Sequence, residues 1–238
     1  MLQVAALTAF PPLFRAPLIA WYPLWASLLL LPLAGCSARP PLESGEFREP
    51  DLVDLTQAVP GIRFDIRYAS TRNFLGRPVY SEARAFLQRP AAEALARVQS
   101  AVEKDGYTLL VFDGYRPWSV TKTFWDETPS DKHQFVADPA KGSRHNRGCA
   151  VDLTLADRTT GAPVEMPSEY DEFSERAYPN YNGGVESARR RRDYLRAAME
   201  REGFQVYEFE WWHFDFKDWQ HYRVLDAPFS EIATSKGS

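Results

Sequence analysis

Histidine and cysteine are scarce in this sequence, which has four histidines and two cysteines among 238 residues. Two cysteines exclude a disulfide-rich scaffold and a zinc site built mainly from thiolates. Any cluster that uses imidazole must draw on His133, His145, His213 and His221. A basic excess is also absent, because 28 Lys and Arg stand against 32 Asp and Glu. This balance argues against a nucleic-acid partner.

The remaining composition is that of an ordinary globular chain, with 45% hydrophobic and 25% charged residues. Such a chain is neither disordered nor collagen-like, and it is not a membrane protein with several spans. Its length suits one large domain or two small ones.

The N-terminal region differs from the rest, because Arg15 is the only charged residue before position 36. An uncharged run over residues 16–38 contains Leu33-Ala34-Gly35 directly before Cys36. A charge followed by an apolar stretch and small residues is typical of a secretory signal. A cysteine after Leu-Ala-Gly resembles a bacterial lipobox, in which the thiol receives a diacylglycerol. The alternative is a transmembrane anchor, which the three prolines of the run disfavour.

These features predict a lipoprotein signal peptide over residues 1–35, a lipid-anchored polar tether over 36–50 and a folded domain over 51–238. The protein would then be exported and held to a membrane through Cys36, facing the periplasm or the cell exterior. Cys149 would be left as the single free thiol, and we interpret it as a buried strand residue rather than a nucleophile.

The domain is predicted to mix helices and strands without regular βαβ alternation, so we assign it to the α+β class. We expect an antiparallel sheet that holds a zinc site, with helices packed around it. The pattern predicts strands over 62–68, 107–112, 149–155 and 204–216, and helices from Pro90 to about Gly106, from Pro117 to about Trp125, and from a Ser187 cap to Gly203. Trp118 and Trp125 are interpreted as helix core.

Two short stretches carry the candidate chemistry: Ser143–Asp152 and Glu210–His213. Together they contain two of the four histidines, and each has a carboxylate nearby. His145, Asp152 and His213 would give a zinc ion three ligands and leave a fourth position open, as catalysis requires. Glu210 would lie beside the metal as a proton acceptor. Each histidine taken alone is more often a satisfied core residue, and it is the joint pattern that indicates a metal site.

The spacings within these stretches are odd numbers, which on a regular strand would place the side chains on opposite faces. His145 and Asp152 are seven residues apart, and Gly148 between them can break the regularity. Glu210 and His213 are three apart, so a bulge or a strand end near Trp211 and Trp212 is expected there.

The motif His-x6-Asp followed by Glu-x-Trp-His, with Ser143 two residues before the first histidine, resembles the D-Ala-D-Ala metallopeptidase family. Within it the chain is most similar to D-alanyl-D-alanine dipeptidases of the vancomycin-resistance type. The family shares its fold with lysostaphin-type enzymes and the hedgehog domain. The similar segments are residues 65–69, 73–76, 113–117, 143–155, 166–171 and 208–213.

The resemblance implies one zinc ion per chain on His145, Asp152 and His213, with Glu210 as the general base. It also implies that Arg116 stabilises the oxyanion and that Ser143 hydrogen-bonds the substrate. Tyr68 and Asp171 would hold the free ammonium of a dipeptide. A structural ion pair with Asp113 is the alternative role for Arg116. Arg144, next to Ser143, receives no role.

The function expected from the resemblance is zinc-dependent hydrolysis of D-Ala-D-Ala to two D-alanines in the cell envelope. It would serve peptidoglycan turnover or recycling, or glycopeptide resistance. One alternative is a D,D-carboxypeptidase that trims terminal D-Ala from stem peptides. The other is a zinc-containing module that binds the wall without catalysis. An export signal departs from the cytosolic vancomycin-resistance enzymes and favours substrates found in the envelope.

Overall fold

A computed structural model describes residues 39–234. The expected signal peptide and Cys36 lie outside the described residues. The strands are β1 Leu52–Asp54, β2 Arg63–Phe64, β3 Phe86–Gln88, β4 Tyr107–Asp113, β5 Ala150–Asp157, β6 Phe204–Tyr207 and β7 Glu210–Phe216. The α-helices are α1 Leu55–Ala58, α2 Arg89–Val102, α3 Trp118–Glu127, α4 Glu186–Arg201 and α5 Phe229–Thr234. Short 3-10 turns cover Arg67–Ala69, Glu103–Asp105, Ser130–Phe135, His145–Arg147, Glu175–Ala177 and Trp219–His221.

The main sheet has five strands in the order β2-β4-β5-β7-β6. Every pairing in it is antiparallel except the edge pair β2–β4, which is parallel. Strands β1 and β3 form a separate antiparallel pair. The α+β class and the predominantly antiparallel sheet are therefore confirmed.

The core lies between the sheet and its helices. Strand β5 alternates Val151, Leu153 and Leu155, all fully buried, with residues that point to the other face. Helix α2 packs on β4 through a buried face of Ala, Leu and Val side chains that recur at helical spacing. Helix α4 packs on α2, β5 and β7. These helices cover one face of the sheet, so Asp152, which alternates with the apolar residues, points to the opposite face.

Three local predictions need correction. The alternating segment 62–68 forms only the two-residue strand β2, because the chain then turns into the 3-10 turn at Arg67–Ala69. Ser187 lies inside α4, whose N-cap is Val185 and has no side-chain cap. The stretch 204–216 is a hairpin of two strands, β6 and β7, rather than one strand.

The segment before β1, which its polar composition predicts to be a tether, already contacts the domain. Glu43 forms an ion pair of 2.6 Å with Arg147, and its other carboxylate oxygen accepts from the Val224 amide at 2.7 Å. Arg48 pairs with Asp218 at 3.0 Å. The chain is thus fixed to the domain from Glu43 onward.

The described part of the chain, residues 39–234, contains no helix with the length and apolarity needed to cross a membrane.

Candidate active site

Three acidic or basic side chains lie side by side across the centre of the sheet. Asp113 at the end of β4 lies opposite Asp152 of β5, and Asp152 lies opposite His213 of β7. Side chains directly opposite each other on neighbouring strands have Cβ atoms about 5 Å apart. The strand register therefore brings residues 39 to 100 positions apart in the chain into one cluster.

His145 reaches this cluster from a turn rather than from a strand. It begins the 3-10 turn His145–Arg147, which ends at Gly148 with a φ of 67°. A Cβ at Gly148 would lie 2.3 Å from a Leu52 methyl carbon, so both the conformation and the space require glycine. The turn folds His145 back over Asp152, as the seven-residue spacing suggests.

The donor atoms of His145, Asp152 and His213 form a compact triangle. His145 Nε2 lies 3.0 Å from His213 Nδ1 and 3.3 Å from Asp152 Oδ1. His213 Nδ1 lies 3.0 Å from Asp152 Oδ1. The ligand atoms of a tetrahedral zinc ion with bonds of about 2.0–2.1 Å are about 3.3 Å apart. The triangle therefore has the size of one face of a zinc coordination tetrahedron.

Each histidine uses the ring nitrogen that faces away from the triangle as a hydrogen-bond donor. The nitrogen that faces into the triangle therefore keeps a lone pair that can bind a metal. His145 Nδ1 donates to the Gly114 carbonyl at 2.7 Å, and His213 Nε2 donates to Asp215 Oδ1 at 2.9 Å. These bonds assign the tautomers in which the inner nitrogens carry lone pairs. Asp152 Oδ1 is buried and has no hydrogen-bond partner among the described residues. Three facing acceptors need a cation, so the donor set fits zinc.

The charges around the triangle also favour a cation. Burial alone would lower the pKa of His213, but Asp215 and Asp152 outweigh it and raise that pKa to about 10. Asp152 is itself buried, yet His145 and His213 hold its pKa well below the usual range. Its second oxygen, Oδ2, accepts from the Tyr170 hydroxyl at 3.0 Å. The cluster thus keeps the Asp152 carboxylate ionised. The two carboxylates favour a positive charge at His213, which a proton supplies in the metal-free protein and which a metal ion on Nδ1 would supply in its place.

Glu210 lies beside the triangle, with Oε2 at 3.8 Å from His213 Nδ1. Pairing between β6 and β7 slips here, because Val206 lies opposite Phe214 while the next residue, Tyr207, lies opposite Glu210. Three residues of β7 are left without partners in β6 here, which is more than a bulge of one residue. Glu210 is the first residue of β7, so the break falls at the strand end, one of the two expected forms of irregularity. Burial raises the pKa of Glu210 to about 7, against the opposing effect of His213. A carboxyl with that pKa can both accept and release a proton near neutral pH.

Arg116 forms the ion pair with Asp113 and also lies at the cavity. Its Nε and one terminal nitrogen bind Asp113 Oδ2 at 2.9 and 2.8 Å, which is the structural ion pair. The same terminal nitrogen lies 3.7 Å from Asp152 Oδ2, and the residue lines the cavity above the triangle. The ion pair therefore fixes a guanidinium next to the candidate metal site.

Tyr68 and Asp171 come together although 103 residues separate them. The Tyr68 hydroxyl donates to both carboxylate oxygens of Asp171 at 3.1 Å. Asp171 has a φ of 61°, a left-handed conformation that is unusual outside glycine. Strain of this kind clusters at functional sites. Burial raises the pKa of Asp171 well above its usual value, so a cationic partner there would be strongly favoured.

Ser143 is buried and also lines the cavity. Its hydroxyl accepts from the His145 amide at 3.2 Å, which leaves the hydroxyl proton free for a ligand. All eight proposed metal, catalytic and substrate residues within the described chain line one cavity of about 410 Å³. They are Tyr68, Arg116, Ser143, His145, Asp152, Asp171, Glu210 and His213.

A family model described as D-ala-D-ala dipeptidase matches residues 48–235 of the sequence. The chain belongs to the D-Ala-D-Ala dipeptidase family. A D-alanyl-D-alanine dipeptidase of Escherichia coli (strain K12) is 35% identical over 180 residues, which are 76% of this chain and 92% of that protein. One from Enterococcus faecalis (strain ATCC 700802 / V583) is 34% identical over 195 residues, which are 74% and 93% of the two chains.

Among solved structures, vancomycin-resistance D,D-dipeptidase VanXYg in complex with a D-Ala-D-Ala phosphinate analog matches with a TM-score of 0.39 and 20% identity. That match covers 84% of this chain and 64% of the other, and a TM-score this low adds nothing to the assignment. The family resemblance inferred from the motifs is confirmed by the family model and the curated relatives. This D-Ala-D-Ala dipeptidase family consists of zinc-dependent metallopeptidases, so the protein is an enzyme and a hydrolase.

Several residues that support the site in this family member were missed by sequence reasoning. Asp215 orients His213, Tyr170 binds Asp152, and Asn146 bonds the Arg116 carbonyl at 2.9 Å. An alternation signal for Asp215 exists, because it lies two residues after His213 on the same strand face. No local pattern marks the other two.

Of the two tryptophans predicted as helix core, only Trp125 needs adjustment. Trp118 is buried as expected, and its indole nitrogen donates to the Pro139 carbonyl at 2.8 Å. Trp125 instead lines the cavity, where its ring lies 3.8 Å from that of His133. Helical spacing alone does not distinguish a side chain that faces a cavity from one in a core.

Cys149 is buried as expected, and burial raises the pKa of its thiol to about 12.

Proposed function

We propose that this chain hydrolyses D-Ala-D-Ala to two D-alanines in cell-wall metabolism. The observation that carries the proposal is Glu210, a partly buried carboxyl with a pKa of about 7, next to a three-ligand cluster with zinc geometry. Homologous proteins named D-alanyl-D-alanine dipeptidase support the substrate. A non-catalytic wall-binding module would have no use for such a base.

In the proposed reaction each residue has a separate task. Zinc bound by His145, Asp152 and His213 would polarise the peptide carbonyl and make water more acidic. Glu210 accepts the proton of the attacking water and delivers it to the amine of the leaving D-alanine. Arg116, held by Asp113, donates to the oxygen on which negative charge develops.

Recognition of the amino end favours a dipeptide over a longer chain. Asp171 and Tyr68 provide a carboxyl group and a hydroxyl where a free ammonium would lie, and the ammonium would keep the carboxyl ionised. The rings of Phe74 and Phe173 are 5.4 Å apart and both line the cavity, and Phe74 also packs on the ring of Tyr68. A stem peptide would have to place an uncharged, bulky amide at this carboxylate, which would leave the charge buried without a partner.

The decisive experiment compares alanine release from D-Ala-D-Ala and from a pentapeptide ending in D-Ala-D-Ala, with and without a chelator. We expect faster release from the dipeptide, and loss of that activity after chelation with recovery on adding zinc. Faster release from the pentapeptide would instead identify a D,D-carboxypeptidase. No release from either would favour the wall-binding module.

We also propose that the enzyme is an exported lipoprotein anchored through Cys36, with residues 1–35 as its signal peptide. The uncharged run before Leu-Ala-Gly-Cys supports this location. The substrate pool would then be dipeptide released in the envelope. Fractionation of cells that express the wild type and Cys36→Ser tests the idea, since the variant should leave the membrane fraction. A variant that remains with the membrane would refute lipidation at this residue.

A further inference from the structure

One guanidinium in the cavity has no task in the proposed reaction. Arg144 lies between Ser143 and His145, and it lines the same cavity. Its side chain is 41% exposed, whereas that of Arg116 is 9% exposed and bound to Asp113. Arg144 is therefore a cation at the cavity that a ligand can reach.

The hydrogen bonds of Arg144 are incomplete. Within residues 39–234 its side chain donates none, and its buried Nε has no hydrogen-bond partner. The ion pair from Nε to Asp215 Oδ2 spans 3.5 Å, longer than the about 2.7–2.9 Å of a charge-assisted hydrogen bond. The guanidinium lies over the ring of Trp219 at 4.7 Å. Stacking of this kind fixes the plane of the group and leaves its N–H edge available.

Arg144 and the ammonium-binding pair lie on different sides of the triangle. Asp171 is bonded to Tyr68, whose ring lies under Arg116, and Arg116 approaches Asp152 from the Oδ2 side. Arg144 approaches Asp215, which is bonded to the far nitrogen of His213. The cavity thus has, near one side of the ligand cluster, a carboxyl group that a bound ammonium would keep ionised, and near the other side a guanidinium with unused N–H donors.

This arrangement matches the charges of a zwitterion whose scissile bond lies over the metal ligands. We propose that Arg144 binds the terminal carboxylate of the substrate and makes the enzyme selective for a free carboxyl terminus. The inference rests on the proposed function, and it adds a specificity residue for the carboxyl end. A planar fork of N–H donors suits a carboxylate better than an amide, because the amide lacks the charge and one acceptor.

The test measures binding rather than turnover, in the zinc-loaded Glu210→Gln protein. Calorimetric titration compares D-Ala-D-Ala with its C-terminal amide, with and without Arg144→Gln. We expect Arg144→Gln to weaken binding of the acid about 10-fold or more and to change binding of the amide little. Arg144→Lys should restore part of the preference, because it keeps the charge without the fork. Arg190→Gln, which removes an exposed arginine paired with Glu186, is the matched control.

A purely structural role would give a different result. If Arg144 only supports Asp215, then Arg144→Gln should lower zinc content and weaken acid and amide alike, and this would overturn the proposal. Equal binding of acid and amide by the parent protein would overturn it too. The same comparison with the pentapeptide acid and amide keeps the test separate from the dipeptidase assignment, since both acids carry the same terminal carboxylate.

Discussion

Replacing Glu210 by glutamine should separate metal binding from turnover. Glu210 Oε2 lies 3.8 Å from His213 Nδ1, beside the ligand cluster and outside it. The variant should therefore bind one zinc ion per chain, as the wild type should. A positioned general base contributes about 10²- to 10⁴-fold to rate, so kcat for D-Ala-D-Ala should fall by that factor. Zinc content and rate are measured on the same sample.

The same substitution should stabilise the metal-free fold at neutral pH. Burial raises the pKa of Glu210 from its ordinary 4.5 to about 7. Between these values the folded state binds a proton that the unfolded state has released, so stability falls as pH rises through this window and is flat above it. The ionised carboxylate therefore costs the metal-free fold on the order of 3 kcal/mol. Glu210→Gln removes this cost.

The assay is urea unfolding in the presence of chelator at pH 4 and pH 8. The difference in unfolding free energy between Glu210→Gln and the wild type should be small at pH 4 and about 3 kcal/mol in favour of the variant at pH 8. Glu208→Gln is the matched control, because Glu208 is exposed in the same hairpin. A variant that keeps wild-type turnover, or one less stable than the wild type at pH 8, would refute the reasoning.

Three further substitutions test other parts of the structure. His213→Ala should lose stoichiometric zinc, measured by metal analysis after dialysis, because it removes one of three protein ligands. Asp171→Asn should raise KM for D-Ala-D-Ala about 10-fold or more with a smaller effect on the pentapeptide, and asparagine tolerates the φ of 61° found there. Gly148→Ala should cost more unfolding free energy than Gly76→Ala, since both have a φ of 67° but nothing lies within 4 Å of a Cβ at Gly76. Equal costs in the two glycine variants would show that the close approach at Gly148 is unimportant.

The ligand set could be predicted because it depends on rare residues and odd spacings. Two of four histidines fall in short stretches with carboxylates, and the breaks that those spacings require are present at Gly148 and in the β6–β7 pairing. The residues that support the site were harder to predict from the sequence. Tyr170 reaches Asp152 across 18 residues, and the Gly114 carbonyl reaches His145 across 31. Such contacts depend on tertiary structure, and no periodic pattern in the sequence predicts them.

Boundary errors in the fold have the same origin. Ser187 is a good N-cap by type, yet α4 begins earlier because Val185 has the extended backbone of the capping position. The segment 204–216 is aromatic throughout, so its turn at Glu208 and Phe209 has no glycine or proline to mark it. Local preference is weak evidence where packing decides the outcome.

The division between strands and loops suggests how this site separates chemistry from specificity. Asp152 and His213 project from paired central strands, so the geometry needed for zinc is set by the sheet. The residues that would recognise the two ends of a substrate, Asp171 and Arg144, lie in irregular segments outside the strands. Loops tolerate substitution better than paired strands. Substitutions that alter substrate specificity should therefore occur at Asp171 and Arg144, while the metal ligands stay the same. The double variant Arg144→Gln, Asp171→Asn should keep its zinc content, although both ends of the dipeptide lose their charged partner.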